Sequence, residues 1–137
     1  MQLRVENWSG YDTEDLGAFF IRGLRATRTR VDDLRITVVA APQRSRGRAE
    51  IGGREMTIAM NAPWYCRRTD CERRLARMFM HECAHIQGLE HGDMPRDLLL
   101  SYGPRPSWAE GSRIRYVGRA PNQMEILRKD VGERRYR

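Results

Sequence analysis

The segment ERRLARMFMHECAHIQGLEH (residues 72–91) combines the pattern of an amphipathic helix with every histidine of the chain. Its apolar residues recur at helical spacing, which predicts a helix that begins near Thr69. Gly88 is well placed to end that helix. All three histidines lie in the last eleven positions, HECAHIQGLEH (residues 81–91). The apolar stripe of the helix comprises Leu75, Met78, Phe79 and Ile86.

The spacing of the histidines predicts a metal site. Positions i and i+4 of a helix differ by about 40° in azimuth, so His81 and His85 project from one face, one turn apart. On a continuous helix His91 would point away, but a left-handed residue at Gly88 turns the chain and lets His91 approach the pair. Three neutral imidazoles leave a fourth position for water, as in a catalytic zinc site. We therefore expect one Zn²⁺ ion bound by these histidines.

Glu82 directly follows the first histidine and lies near the expected ion without having to bind it. Zinc lowers the pKa of bound water to about 7, so a carboxylate at this position can take the proton and later pass it to a leaving amine. These roles predict a zinc-dependent endopeptidase that acts on a peptide or protein, with Glu82 as general acid/base.

The flanking sequence predicts a single α+β domain spanning residues 1–137. QLRVEN (residues 2–7) alternates like a strand, and an apolar helical stripe follows from Asp12 or Thr13. LRITVVAAP (residues 34–42) is typical of a buried strand. Gly52 and Gly53 separate two alternating runs and predict a hairpin. A last helix is expected from about Asn122 to Val131.

Length and composition limit the class of protein. With 137 residues, 40% of them hydrophobic, the chain can form one domain with a modest core. The net charge of +7 makes nucleic acid a second-choice partner. The densest basic run, Gln43 to Arg48, is expected to be a solvated loop, with a contact to a polyanion as the alternative. No signal peptide and no apolar stretch of membrane-spanning length is found, which predicts a cytoplasmic protein without a membrane partner.

The three cysteines are expected to be reduced, because an odd count without a secretion signal argues against a disulfide framework. A non-catalytic, closed zinc site is the alternative that would use one of them. Cys83 lies at i+2 from His81 and points to the other side of the helix, so the fourth ligand would have to be Cys66 or Cys71.

HECAHIQGLEH matches H-E-x-x-H-x-x-G-x-x-H and so resembles the zinc signature of the metzincin metallopeptidases. The resemblance implies a small twisted mixed β-sheet with two helices, the second carrying the zinc motif. It also implies an upper subdomain of about residues 1–90 and a lower one of about 91–137. The lower part would be short and irregular and would end in a helix.

The resemblance also implies a substrate-binding strand. Metzincins bind substrate along an antiparallel edge strand that lines the cleft. That strand would be residues 54–60 in this chain, so that Met56, Ile58 and Met60 contact the substrate.

A methionine turn beneath the metal is a further feature of metzincins. Met124 lies about where that turn is expected, and Met94 is nearer to the third histidine. In some metzincins a tyrosine stabilises the oxyanion, and Tyr102 and Tyr116 are the candidates for that role here.

The histidine spacing is shared by a second family, the YbeY-like bacterial endoribonucleases. Their motif is similar to H-G-x-L-H-L-x-G-x-D-H, and HIQGLEH (residues 85–91) resembles its second half, with Glu90 as the acidic residue. A metal-dependent ribonuclease acting on structured or ribosomal RNA is therefore the alternative function. The residue after the first histidine favours the peptidase, because Glu82 stands where the nucleases have glycine.

Overall fold

The computed structural model describes residues 1–41, 45–65, 68–99, 103–118 and 123–132, and for residues 68–70 the backbone only. Three single-turn 3₁₀ helices, at Pro63–Tyr65, His91–Asp93 and Ser107–Ala109, lie between the longer elements. Those elements are, in chain order, β1 (Gln2–Asn7), α1 (Thr13–Thr27), β2 (Asp33–Ala41), β3 (Arg46–Ala49), β4 (Glu55–Asn61), α2 (Arg68–Ile86), α3 (Arg96–Leu99) and β5 (Glu125–Asp130).

The strands form one mixed sheet in the order β3-β4-β2-β1-β5, so the predicted α+β class is confirmed. β1, β2 and β4 run parallel, and the two edge strands β3 and β5 run antiparallel to their neighbours. Alternate residues of the parallel strands face a common core, among them Val5, Ile36 and Ile58, each with no exposed surface. The opposite face carries charged residues such as Arg4 and Glu55, so the helices cover one face only.

Helices α1 and α2 pack against each other through aromatic side chains. The rings of Phe20 and Phe79 lie 4.9 Å apart, and Trp108 contacts Phe79 from the C-terminal third of the chain. Gly23 makes this approach possible, because a Cβ atom there would lie 2.6 Å from Phe79 and 2.9 Å from Trp108. The apolar stripes predicted on both helices therefore meet in the core, and α2 is held at a defined position over the sheet.

The start of α1 follows the predicted capping. Asp12 is the N-cap residue, and its carboxylate accepts a hydrogen bond of 2.9 Å from the Asp15 N–H. The hairpin predicted at Gly52 and Gly53 is also present, between β3 and β4, with Gly52 at φ 69°. Glycine adopts this left-handed backbone conformation readily because it has no Cβ atom.

The helix predicted from Asn122 to Val131 is wrong for the described residues, which form β5. This strand pairs antiparallel with β1, and Glu125 at its start accepts a hydrogen bond from the Thr13 hydroxyl. Glu, Leu, Arg and Lys favour a helix, but pairing with β1 and burial of Leu127 outweigh that preference. The sheet thus contains strands from both predicted subdomains, four before residue 91 and one after it.

The basic run Gln43 to Arg48 also departs from the prediction of a solvated loop. Residues 43 and 44 lie outside the described part, but Arg46 and Arg48 belong to edge strand β3. Pairing with β4 gives this segment the partner that a loop would lack.

Within the described residues, no helix is both long and apolar enough to cross a bilayer.

The contact between β5 and α1 gives a test of the fold. A Cβ atom on Gly17 would lie 2.1 Å from Leu127 Cδ2. We expect Gly17→Ala to destabilise the protein by about 1 kcal/mol or more, because overpacking outweighs the better helix propensity of alanine. In a Leu127→Ala background the same change should be neutral or stabilising. Urea unfolding of the four proteins measures this coupling, and additive effects would contradict the placement of β5.

Candidate metal centre

The three histidines converge at the C-terminal end of α2. His81 and His85 lie one turn apart on the helix, and His91 begins the 3₁₀ turn that follows it. The Nε2 atom of His91 lies 3.2 Å from the Nε2 atom of each of the other two. The potential ligand atoms of all three side chains lie within 4.8 Å of one another. The predicted ligand set is therefore brought together, and its geometry is close enough to bind one metal ion.

Backbone carbonyls orient two of the rings. The Nδ1 atom of His81 lies 2.9 Å from the Leu98 carbonyl oxygen, and that of His85 lies 2.8 Å from the Leu89 carbonyl oxygen. A carbonyl can only accept, so each Nδ1 carries the proton and donates. Each Nε2 is then left as a lone-pair donor directed at the cluster. The two carbonyl contacts thus fix the tautomer in which Nε2 can bind a metal ion.

Gly88 turns the chain back toward the helix, as predicted. It adopts φ 99°, its N–H donates to the His85 carbonyl at 2.9 Å, and the Leu89 N–H donates to the Ala84 carbonyl at 3.0 Å. This pair of bonds is the Schellman motif that ends many helices. It also presents the Leu89 carbonyl to His85, so one turn both ends α2 and orients a ligand.

The turn that carries His91 is held by its own hydrogen bonds. The Asp93 carboxylate accepts a hydrogen bond from the Glu90 N–H at 3.3 Å, and the Met94 N–H donates to the His91 carbonyl at 3.3 Å. Met94 itself is buried. His91 is exposed whereas His85 is buried, so the cluster is reached from the His91 side.

The spacing of the ring nitrogens fits a tetrahedral metal. Two nitrogens that each lie about 2.05 Å from a tetrahedral centre are separated by about 3.3 Å, close to the observed 3.2 Å. With the Nδ1 atoms of His81 and His85 protonated, both Nε2 lone pairs point toward His91 Nε2, which as an N–H could donate to only one of them, whereas a cation among the three nitrogens would be bound by all. The donor set of three imidazoles is one that zinc uses in catalytic sites, and it does not suit calcium or magnesium, which prefer oxygen.

Glu82 lies between α2 and edge strand β3, and its side chain is buried. Burial raises the pKa of Glu82, and its electrostatic interaction with the neighbouring His85 side chain and a hydrogen bond from the Ala49 N–H oppose this only in part. Gly47 leaves the space for this contact, because a Cβ atom there would lie 2.8 Å from Glu82 Cγ. The carboxylate is therefore held from the strand side, beside His85.

The hairpin is also tied to the end of the metal-site helix. The Gly52 N–H donates to the His85 carbonyl at 2.8 Å. Together with the Ala49 contact, this places the β3–β4 hairpin along α2 from Glu82 to His85. No signal in the sequence pointed to Gly47, Ala49 or Gly52 as neighbours of the site. Ala49 and Gly52 contribute backbone N–H groups, and Gly47 contributes the space that a larger side chain would fill.

The prediction that residues 54–60 form the edge strand is wrong. β4 lies between β3 and β2, and its residues Met56, Ile58 and Met60 are buried in the core. These three side chains therefore pack in the core of the domain, and Met60 also lines a cavity of about 440 Å³ together with Tyr11 and Tyr116. The antiparallel edge position belongs to β3, whose first residues were predicted to lie in a loop and whose last residues were predicted to begin the hairpin.

Of the methionine and tyrosine candidates, Met124 and Tyr116 lie away from the histidines. Met124 precedes β5, at the opposite edge of the sheet from β3, and 43% of its surface is exposed, so it does not lie beneath the histidines. The buried methionine next to the third ligand is Met94. Tyr116 packs on Tyr11, whose hydroxyl contacts the Asn61 carbonyl at the far end of β4 from the hairpin turn. Tyr102 lies outside the described residues.

The cysteines contribute no ligand in the described part of the site. Cys83 is a free thiol buried in the core, and burial raises its pKa to about 12. Cys71 is disulfide-bonded, which corrects the prediction that it is reduced. A sulfur in a disulfide is not available as a thiolate ligand, so Cys71 does not support the closed zinc site. Cys66 lies outside the described residues.

Comparison of the chain with known protein families, with curated proteins and with solved structures found no match. The function is therefore argued from the residues and geometry of the site.

Gly88 and Gly92 provide a matched test of the turn. A Cβ atom at either position would have no neighbouring atom within 4 Å, but only Gly88 has a positive φ. We expect Gly88→Ala to cost about 1–2 kcal/mol of stability and to weaken zinc binding, because the left-handed conformation disfavours a side chain. Gly92→Ala should stay within about 0.5 kcal/mol of the wild type. Thermal unfolding and competition with a zinc chelator measure both effects, and equal behaviour of the two variants would refute the role of Gly88.

Proposed function

We propose that the protein is a zinc-dependent endopeptidase. The observation that supports this most strongly is the convergence of His81, His85 and His91, with two of their Nδ1 atoms donating to carbonyls so that Nε2 faces a common point. The match of residues 81–91 to the metzincin signature supports the same class. The histidines would hold the ion, and the fourth position would face the open side of the cluster.

A zinc ion held there would supply Lewis acidity, which makes water a better nucleophile near neutral pH and polarises a carbonyl. Glu82 is then the group that moves the proton. Its carboxylate accepts the proton of the attacking water and delivers it to the nitrogen of the leaving amine. Burial favours this exchange because a carboxyl with a raised pKa holds a proton more readily than an exposed one.

Edge strand β3 is the proposed binding strand for the peptide. The Glu50 N–H donates to the Glu55 carbonyl, and Arg48 pairs with Thr57, so the backbone of Arg48 and Glu50 faces β4. The N–H and carbonyl groups of Gly47 and Ala49 then face outward. The Ala49 N–H donates to Glu82, so a peptide added along this edge would pair with Gly47 and with the Ala49 carbonyl. It would lie beside the proposed acid/base.

Glu82→Ala tests the proposed mechanism. We expect the variant to keep the zinc content of the wild type and to lose about 10²- to 10⁴-fold in turnover, the usual range for removal of a general acid/base. The assay is digestion of a mixed peptide library, with products identified by mass spectrometry and zinc measured in parallel. Glu110→Gln, which changes an exposed acid distant in sequence from the motif, is the control and should behave as the wild type.

Unchanged turnover in Glu82→Ala at equal zinc content would contradict the mechanism. If neither protein yields peptide products although both bind zinc, and the wild type instead cleaves structured RNA in a metal-dependent way, the peptidase is rejected in favour of the ribonuclease alternative.

A backbone N-methyl scan of a library substrate tests the role of β3. Strand pairing uses the N–H groups of alternate residues only. We expect kcat/KM to fall by about tenfold or more at alternate substrate positions, since each loss removes a hydrogen bond of about 1 kcal/mol and adds a steric clash. Methylation at the intervening positions serves as the control. Equal sensitivity at all positions would argue against strand addition.

A further inference from the structure

A cleft in the described part of the protein lies apart from the three histidine side chains. It has a volume of about 900 Å³ and opens at the end of the molecule where α1 ends and β4 begins. Leu24 and Ile86 contribute buried apolar surface to its floor, and four exposed arginines surround it. These arginines are Arg25, Arg28, Arg30 and Arg54.

The four arginines come from three parts of the fold. Arg25 belongs to the last turn of α1 and Arg28 is its C-cap residue, Arg30 lies in the connection to β2, and Arg54 directly precedes β4. A positive charge at a helix C-terminus is favourable by itself, which accounts for Arg25 and Arg28. It does not account for Arg30 and Arg54, which approach from a loop and from the β3–β4 hairpin.

Acidic side chains are scarce around this cluster in the described part of the chain. None of the four guanidinium groups forms an ion pair there, and the cleft lining contributes one acid, Asp32. By contrast, Arg4, Arg35 and Arg115 elsewhere on the surface are paired with carboxylates. Like charges that converge without counter-charges repel one another, and a bound anion relieves that repulsion.

We propose that this arginine cleft binds the phosphodiester backbone of a nucleic-acid strand. The guanidinium group matches phosphate through its planar fork. Four such groups around one cleft suit a ligand with several anionic groups at close spacing, and a nucleic-acid strand carries one on every residue. The cleft lining contains no aromatic side chain for base stacking among the described residues, so recognition is of phosphates and is independent of sequence.

The cleft adjoins the metal-site helix without using its ligands. Ile86 follows His85 directly, and Gly52, which donates to the His85 carbonyl, also lines the cleft. A strand in the cleft would therefore lie against the last turn of α2. The proposal concerns binding alone and holds whether the metal centre cleaves peptides, RNA or neither.

The test is the salt dependence of binding to a short fluorescein-labelled oligodeoxythymidylate, followed by fluorescence anisotropy. If all four arginines contact phosphates, log Kd should rise with log[NaCl] with a slope of about 3, which is a loss of about 50-fold in affinity between about 50 and 200 mM salt. Arg30→Ala combined with Arg54→Ala should lower the slope by about 1.4, because two single-strand phosphate contacts are lost.

Arg74→Ala combined with Arg113→Ala is the matched control. It removes the same charge from two exposed arginines that do not line the cleft, and it should leave the slope unchanged. An equal fall in slope for both double variants would overturn the proposal, because binding would then follow net charge alone. So would the absence of an anisotropy change in the wild type.

Competition with polyglutamate separates a phosphate strand from an acidic peptide and needs no variant. We expect unlabelled oligonucleotide to displace the probe at far lower concentration, counted per negative charge, than polyglutamate does. Equal displacement by the two polymers would reject a nucleic-acid partner for this cleft. Because the readout is binding, failure here leaves the proposed peptidase activity untouched, and failure of that activity leaves this result untouched.

Discussion

The geometry of the candidate metal centre depends on one backbone conformation, the left-handed turn at Gly88. A helix that continued past Ile86 would carry His91 away from His81 and His85. The turn at φ 99° reverses the chain, and the hydrogen bonds that form it also present the Leu89 carbonyl to His85. The residue that ends the helix therefore also places the third ligand and orients the second. Few other residues could satisfy this conformation at low cost.

The second constraint is the docking of the β3–β4 hairpin along α2. Ala49 donates to the Glu82 carboxylate and Gly52 donates to the His85 carbonyl, so the strand and the helix hold each other in register. Gly47 permits the approach by leaving space for Glu82. The proposed acid/base is thus buried against the edge strand on which we propose that substrate binds. The same hairpin carries Arg54 to the arginine cleft on the other side of its turn.

The parts of the site that could be predicted from the sequence are local in the chain. Helical spacing relates His81 to His85, and glycine chemistry relates both to His91, so eleven residues contain the whole ligand set. The carbonyl partners of these histidines could not be predicted, because every residue has a carbonyl. Arg77, for instance, donates to the carbonyls of Asp97 and Pro104 and holds that segment near His81, a contact without a sequence signal.

The parts of the fold that were predicted wrongly depend on which strands pair. The resemblance to metzincins placed residues 54–60 at the edge of the sheet, but β3, the first strand of the hairpin, pairs on their outer side and makes β4 internal. Residues 125–130 contain good helix formers, yet β1 offers them an open edge about 120 residues away in the chain. For residues 125–130 the local pattern was compatible with both a helix and a strand. The choice between them was made by a strand that the local pattern does not include.

The measurement that tests the central claim most directly is X-ray absorption at the zinc edge of the zinc-loaded protein. The account predicts three imidazole nitrogens and one further light atom at about 2.0–2.1 Å, with no sulfur. It also predicts that His91→Ala loses one imidazole from this shell. A sulfur atom at about 2.3 Å would indicate a cysteine ligand and a different site. A shell unchanged in His91→Ala would contradict the convergence of the three histidines on one ion.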